Sequence, residues 1–246
     1  MSEIDDFADK YIGIVDKIIA KIPYKRLTVW KEFFLNPVAT VKKDQLTIGQ
    51  RMKDIIVSGL IGAVIGLVAM IPLLLISALT TAGASLIVMA AIPVLMVVGI
   101  LLAPILIFIY SLLELIVAKV VGGKGSVRAN FNASALPNLG VTVITLPLTL
   151  VSVPVAWLSA IPFVNICMMI VNIPLAIVSS LVGIYGLYLK YLAMKEVHTL
   201  STWRAVAVVL IPPIVIIGLV AVVVIALYAF LIAALVGLGS GMQIAN

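Results

Sequence analysis

The sequence has few of the residues from which most enzyme sites and water-soluble surfaces are built. It contains one cysteine, Cys167, and one histidine, His198. A single cysteine excludes an internal disulfide and a thiolate metal cluster, and a single histidine excludes a histidine-rich metal site. Only 11% of the 246 residues are charged, whereas a soluble domain has about 25%. We therefore expect a protein that is not water-soluble and that holds no metal or other cofactor.

Hydrophobic residues, in contrast, make up 64% of the chain. Most of them lie in three runs without any charged residue, which cover 55–113, 129–189 and 205–246. A helix needs about 20 apolar residues to cross a hydrocarbon core about 30 Å thick. The first two runs each fit two spans, with turns near residues 80–83 and 157–159. Because Pro212-Pro213 is most simply a kink within one last helix, the sequence predicts an all-α bundle of five transmembrane helices with proline-kinked spans.

The charged residues predict how this bundle is oriented. Eighteen lie in residues 1–54, and four lie in each of the two loop regions 114–128 and 190–204. The loops after the second and fourth spans are basic and share one side with the N-terminal segment, so the positive-inside rule predicts a cytoplasmic N-terminus and an external C-terminus. We expect a cytoplasmic segment over 1–54, a membrane domain over 55–238 and a short external tail over 239–246. The protein would be an integral, multi-pass protein of the cell membrane if it is prokaryotic.

Two amphipathic stretches are predicted in the N-terminal segment. Apolar residues recur at three- and four-residue steps over 4–22, which is typical of a surface helix with one apolar face: Ile4, Phe7, Tyr11, Ile14, Val15, Ile18 and Ile22. The second stretch, residues 25–35, combines basic residues with Trp30, Phe33 and Phe34, which is typical of an interfacial anchor. Two interpretations stay open, namely a docking helix for a soluble partner and a structural collar on the membrane surface.

Glu114 is the most unusual acid, because it lies near the end of the second predicted span. Acids in spanning helices are costly and are candidates for function. The alternative is an ion pair at the interface with Lys119, Lys190 or Arg204. General acid-base catalysis needs paired titratable groups, and the predicted membrane interior offers none, so we do not expect an enzyme.

Three segments resemble one family of membrane proteins. They are Leu113–Arg128 (which ends in AKVVGGKGSVR), Gly186–Ala205 (GLYLKYLAMKEVHTLSTWRA) and Trp30–Pro37 (WKEFFLNP). In order and spacing they resemble the loop after the second span, the segment before the last span and the entry segment of prokaryotic members of the Yip (Ypt/Rab-interacting protein) family. Asn132 to Pro137 also fits, with a proline that opens the third span. The resemblance covers roughly residues 28–235.

This resemblance implies a five-span bundle with a cytoplasmic N-terminus. Eukaryotic Yip proteins act in vesicle trafficking, where they bind small Rab-type GTPases and associate with one another. The acidic-Leu-Tyr-Gly-Pro motif of those members is missing here, which favours an archaeal or bacterial member without that GTPase partner. The implied function is a non-enzymatic scaffold or adaptor in membrane organisation, and the alternative is a channel or transporter for a small or lipidic solute.

The candidate site residues lie in the two basic loops. Candidates for binding a partner or lipid headgroups are Lys119, Gly122, Gly123, Lys124, Gly125, Ser126, Arg128, Lys195, His198 and Arg204. The glycines resemble a nucleotide-binding phosphate loop only superficially, because the G-x-x-x-x-G-K-[ST] spacing is missing and no strand precedes them. The expected partners are the lipid bilayer, a membrane or soluble protein on the cytoplasmic face and a second copy of the chain, but not nucleic acid.

Overall fold

The chain is described by a computed structural model over residues 2–80, 85–159, 161 and 163–242. Every regular element in these ranges is an α-helix, which confirms the all-α prediction. The helices are α1 (Ser2–Ile19), α2 (Leu27–Leu35), α3 (Pro37–Lys43), α4 (Ile48–Thr80), α5 (Ser85–Val120), α6 (Val127–Ser159), α7 (Val164–His198) and α8 (Thr202–Met242).

The five helices from α4 to α8 are long and apolar enough to cross a membrane, which confirms the five-helix membrane bundle. The turn predicted near residues 80–83 falls mostly outside the described residues. The turn predicted near residues 157–159 follows the end of α6 at Ser159. Pro212 and Pro213 both lie inside α8, so the last apolar run forms a single helix as far as Met242, where the described residues end.

The long helices place the charged loops together at one end of the bundle. Two hydrogen bonds join α4 to α6: Arg51 Nε donates to Asn132 Oδ1 (2.7 Å), and Trp157 Nε1 donates to the Val68 carbonyl (3.0 Å). The earlier residue of α4 contacts the earlier residue of α6, and the later residue contacts the later one. These two helices therefore run parallel, as the first and third spans of an alternating bundle must. We call the end where α4, α6 and α8 begin and α5 and α7 end the charged end.

Helix α6 is the centre of the charged end. Its residues are buried from Asn130 through Pro137, and it packs against α1, α2, α4, α5 and α7. Small side chains allow this close approach: a Cβ atom at Gly140 would lie 3.1 Å from the carbonyl oxygen of Trp30 on α2. The helix begins at Val127, so the expectation that Pro137 opens it is wrong. The helical turns between Val127 and Pro137 contain most of the buried residues of α6 at the charged end.

The N-terminal helix α1 docks on α6 of its own chain. Val15 and Ile19 are buried against the bundle, and the Tyr11 hydroxyl donates a hydrogen bond of 2.6 Å to the Ile144 carbonyl. Phe7 and Ile14 remain exposed. The predicted amphipathic helix is confirmed, although the side chain of Ile4 lies outside the described residues. The face of α1 that carries Val15 and Ile19 is therefore covered by its own chain, and docking of a soluble partner on α1 stays a prediction.

The aromatic residues of α2 are core residues. Trp30 and Phe33 are fully buried within the protein, where α2 packs against α6. The prediction that they anchor the chain in the lipid interface is therefore wrong. Aromatic rings beside basic residues are typical of an interfacial anchor, but here the rings of Trp30 and Phe33 are buried between α2 and α6.

Two arginines and two aspartates form a charge cluster that the sequence did not reveal. Arg26 binds the carboxylates of Asp54 (Nε, 2.9 Å) and Asp44 (Nη2, 2.7 Å). Arg51 binds the same two carboxylates, Asp54 through Nη1 (3.0 Å) and Asp44 through Nη2 (2.7 Å). Its Nε reaches Asn132 on α6. The cluster therefore joins the segment before α2, the start of α4 and the first turns of α6.

The cluster is electrically balanced, and this explains how it can be buried. Arg51 and Asp54 are fully buried, and each aspartate accepts hydrogen bonds from both arginines. Burial alone would raise the pKa of Asp44, but the hydrogen bonds from Arg26 and Arg51 outweigh burial and hold that pKa below its ordinary value. Burial and the hydrogen bond to Asp54 both raise the pKa of Tyr24. Each charge is thus satisfied by partners within the protein.

Replacing Arg51 with alanine should destabilise the protein strongly, because one buried positive charge would be lost while the Asp54 carboxylate stays fully buried. Breaking a buried pair in this way costs about 3–5 kcal/mol. Thermal unfolding in detergent, followed by circular dichroism, measures the loss. The matched control is Lys53→Ala, which removes an exposed cation two residues away and should change stability by less than about 0.5 kcal/mol. Equal melting of the two variants would contradict a structural role for the cluster.

Acid should weaken the same cluster. A carboxyl group whose pKa is lowered by folding stabilises the protein fully above its unfolded pKa, about 3.9 for aspartate, and loses that contribution as the pH falls through the lowered folded value. The melting temperature should therefore drop as the pH is taken below about 4. Asp44→Asn should remove part of this acid sensitivity, whereas Asp9→Asn on exposed α1 should keep it. An unchanged acid response in Asp44→Asn would contradict the assignment.

Candidate functional site

The two basic segments that carry the family resemblance lie against each other in the structure. The first contains the glycine loop, residues 121–126 between α5 and α6, and the second ends α7 at His198. Gly122 has a φ of +88°, a left-handed conformation that favours glycine. The Gly123 amide donates a 2.7 Å hydrogen bond to the Ala118 carbonyl. The loop thereby closes the end of α5 and turns back toward α7.

His198 is the centre of this arrangement. It is fully buried, and its Nδ1 accepts a hydrogen bond of 3.1 Å from the Gly125 amide. Because Nδ1 accepts, the ring proton resides on Nε2 and is donated to Asn130 Oδ1 at 2.7 Å. Asn130 in turn donates to the Ser111 carbonyl of α5. One imidazole therefore connects the loop, α5, α6 and α7.

The glycine loop has no amides to offer a phosphate group at its centre. The amides of Gly123, Lys124 and Gly125 donate to the Ala118 carbonyl, the His198 carbonyl and the His198 ring. A phosphate loop needs such amides free and pointing at the ligand. The geometry agrees with the sequence-based expectation that this segment is not a nucleotide site.

Three of the predicted binding residues have a structural role instead. Gly123, Gly125 and His198 are buried, so a soluble partner cannot contact them. A Cβ atom at Gly125 would lie 2.6 Å from the His198 ring, and one at Gly123 would lie 2.8 Å from the Ala118 carbonyl oxygen. The prediction that these residues bind a partner is wrong, because the fold uses them to hold the loop.

Two basic candidates are also engaged in contacts within the chain. Arg128 is exposed, but its guanidinium donates to the backbone carbonyls of Gln45 and Leu46 in the connection between α3 and α4. Lys195 is half-buried and reaches Thr202 Oγ1 at 3.3 Å. These two side chains fix neighbouring elements and are less available to a ligand than their charge suggests.

The remaining candidates form an exposed basic surface. Lys119, Lys124 and Arg204 are all exposed, as are Gly122 and Ser126. Arg204 lies beside the loop, since its Nη1 would be 3.5 Å from a Cβ atom at Gly122. Within the described part of the chain, none of the three cations has an acidic partner within 4.0 Å. We call Lys119, Lys124 and Arg204 the basic surface.

Ser126 has a defined local role although it is exposed. Its hydroxyl accepts a 3.2 Å hydrogen bond from the Ala129 amide, which is the side-chain cap expected at the beginning of a helix. It thus fixes where the loop ends and α6 starts. Ser126 positions the loop and does not contribute charge to the basic surface.

Glu114 is paired within the bundle. Its Oε1 lies 2.5 Å from Lys190 Nζ, and the glutamate is fully buried while 12% of the lysine side chain is exposed. Of the three partners left open by the sequence, the structure thus selects Lys190 on α7. Lys190 Nζ also lies 4.3 Å from the centre of the Tyr110 ring. The pair sits deeper in the bundle than the basic surface.

Replacing Gly125 with alanine should disrupt the loop, because the new methyl group would collide with a buried imidazole ring. We expect a loss of about 1–3 kcal/mol in the free energy of unfolding, as for other overpacked sites, and faster proteolysis in the loop. The control is Gly49→Ala on α4, where a Cβ atom meets nothing within 4 Å; it should not destabilise the protein. If both variants resist heat and protease equally, the loop is not held by His198.

Comparison with known proteins does not extend this description. No protein-family model matches the chain, no curated protein matches it, and no solved structure matches it.

Proposed function

We propose that the chain is a non-enzymatic membrane scaffold or adaptor of the Yip type, and that its basic surface binds an acidic segment of a partner protein. One observation carries the proposal: the two family-like segments form one interlocked structure around His198 that displays Lys119, Lys124 and Arg204. Exposed cations on a loop whose backbone is held by hydrogen bonds are suited to binding acidic groups. It lacks the paired titratable groups that catalysis needs.

The fixed backbone of the loop favours a role of the basic surface in binding a partner over a role only in orienting the chain in the membrane. Positive-inside orientation requires basic residues near the membrane, but it does not require their backbone to be fixed. Here Lys124 is held on both sides, through its own amide and through that of Gly125. A fixed geometry lowers the entropy lost on binding. Trp203, which is 82% exposed beside Arg204, adds an aromatic group of the kind enriched in interfaces.

The proposed setting is the cytoplasmic face of a cell membrane. The charged end carries the basic loops, and such loops are retained on the cytoplasmic side. A partner would approach this end from solution. Because α1 contributes Val15 and Ile19 to the core, we assign docking to the basic surface and not to the N-terminal helix.

The test compares two variants that lose equal charge. The first replaces Lys119, Lys124 and Arg204 with alanine; the control replaces Lys17, Lys21 and Lys25, which are also exposed. Each exposed ion pair is worth about 0.2–1 kcal/mol, so three together should change partner recovery roughly three- to a hundredfold. Both proteins are isolated from native membranes in lipid nanodiscs, and the proteins recovered with them are quantified by mass spectrometry.

The expected result is a stoichiometric protein recovered with the wild type and the control but depleted from the first variant. Equal recovery with both variants, while both insert normally, would contradict the proposal. Anionic headgroups share the chemistry of an acidic segment, so binding to vesicles of phosphatidylglycerol and of phosphatidylcholine is measured in parallel. Loss of vesicle binding without any protein partner would make the basic surface a lipid site instead.

A further inference from the structure

A cavity of about 460 Å³ lies among the membrane-spanning helices α5, α6, α7 and α8. Its α5 wall runs from Leu106 to Leu113, which is about 10–20 Å along the helix from Val120 at 1.5 Å per residue. Ile216 of α8 lines the facing side. The cavity thus lies at the depth of the apolar spans, away from the basic surface. Because Leu106 and Ile109 are exposed, it opens on the outer face of the bundle.

One end of this cavity is polar. Ser134 and Asn138 of α6, Lys190 of α7 and Tyr110 of α5 line it. The Lys190 ammonium touches the buried Glu114 carboxylate at 2.5 Å, so the two charges cancel. The cavity therefore presents hydrogen-bonding groups but no net charge, beside a wall of leucine and isoleucine.

The polar residues of the cavity differ in how well they are paired. Ser134 is buried and lies close enough to the buried Glu114 carboxylate for its hydroxyl to donate to it. Asn138, in contrast, is exposed in the cavity, and its carboxamide has no hydrogen-bond partner among the described residues. A polar group without a partner is costly inside a membrane. The polar end of the cavity is therefore suited to an occupant that can hydrogen-bond with Asn138.

The two surfaces of the cavity restrict what that occupant can be. A hydrocarbon chain alone would leave the polar atoms unsatisfied, and water alone would be placed against an aliphatic wall. A charged headgroup at this depth would cost about 2.5–3.5 kcal/mol and would compete with the Glu114–Lys190 pair. A hydroxyl group both donates and accepts hydrogen bonds, so it can pair with the Ser134 hydroxyl and with the carboxamide of Asn138.

We propose that this cavity binds a neutral lipid that carries a free hydroxyl group, of the diacylglycerol class. The hydroxyl lies at Ser134, Asn138 and Lys190, and the acyl chain lies along Leu106, Leu113 and Ile216. This site is separate from the basic surface and is independent of the proposed scaffold function. Substitutions in the cavity should leave partner recovery by the basic surface unchanged.

The test uses the full chain in phosphatidylcholine nanodiscs and a diacylglycerol that bears a diazirine and an alkyne on one acyl chain. After irradiation, labelled residues are identified by mass spectrometry. Labelling should concentrate on the α5 and α8 walls of the cavity and should be competed by unlabelled diacylglycerol. A twin probe whose hydroxyl is acetylated should label these walls about two- to tenfold less, as expected for the loss of one hydrogen bond.

Two variants separate the site from general contact with lipid. Asn138→Leu should lower labelling of the cavity walls about two- to tenfold, whereas Asn172→Leu, an exposed asparagine on α7 outside the cavity, should not. Ile216→Trp, which fills the cavity without changing its polar end, provides a second variant if Asn138→Leu does not fold. Equal labelling by the two probes, or equal labelling of Asn138→Leu and Asn172→Leu, would overturn the proposal.

Discussion

Each buried charge in this protein needs a partner of opposite charge within the protein. The fold depends on this constraint most at the Arg26–Asp44–Arg51–Asp54 cluster. Taking two charges out of water costs several kcal/mol per ion. Only close partners of opposite charge offset this desolvation cost. The cluster supplies them among Arg26 before α2, Asp44 before α4 and the first turns of α4, and Arg51 extends it to Asn132 on α6. Its consequence is that the described residues before α4 are tied to α4 and α6 by buried contacts.

The central position of α6 follows from the same requirement. Asn132 accepts from Arg51 and donates to the Leu46 carbonyl, while Asn130 pairs with His198 and with the Ser111 carbonyl. These two asparagines lie on one short stretch that is buried on nearly all sides. A helix of leucines could pack there, but it could not satisfy the polar groups that α4, α5 and α7 bring to it. The early turns of α6 therefore act as the polar centre of the charged end.

The sequence predicts the five spans and the grouping of charge well, because both depend on local composition. It identifies Glu114 as unusual but leaves three partners open, since choosing Lys190 requires the distance between α5 and α7. It misses Arg51 for the same reason: its partners lie up to 81 residues away. A signal was present, because an arginine and an aspartate three residues apart at the start of an apolar helix share one face. Nothing local indicates that His198 is buried.

The two buried ion assemblies differ in a way that bears on function. In the cluster at the charged end, both carboxylates are hydrogen-bonded by both guanidiniums, so a ligand has nothing to gain there. The Glu114–Lys190 pair also cancels its charge, but Lys190 lines a cavity together with Ser134 and Asn138. A network whose polar groups are all paired with one another stabilises a fold, whereas polar groups that line a cavity can pair with a ligand. The charge cluster is therefore a structural centre. The cavity beside the Glu114–Lys190 pair, and not the larger cluster, is the better candidate for a ligand site.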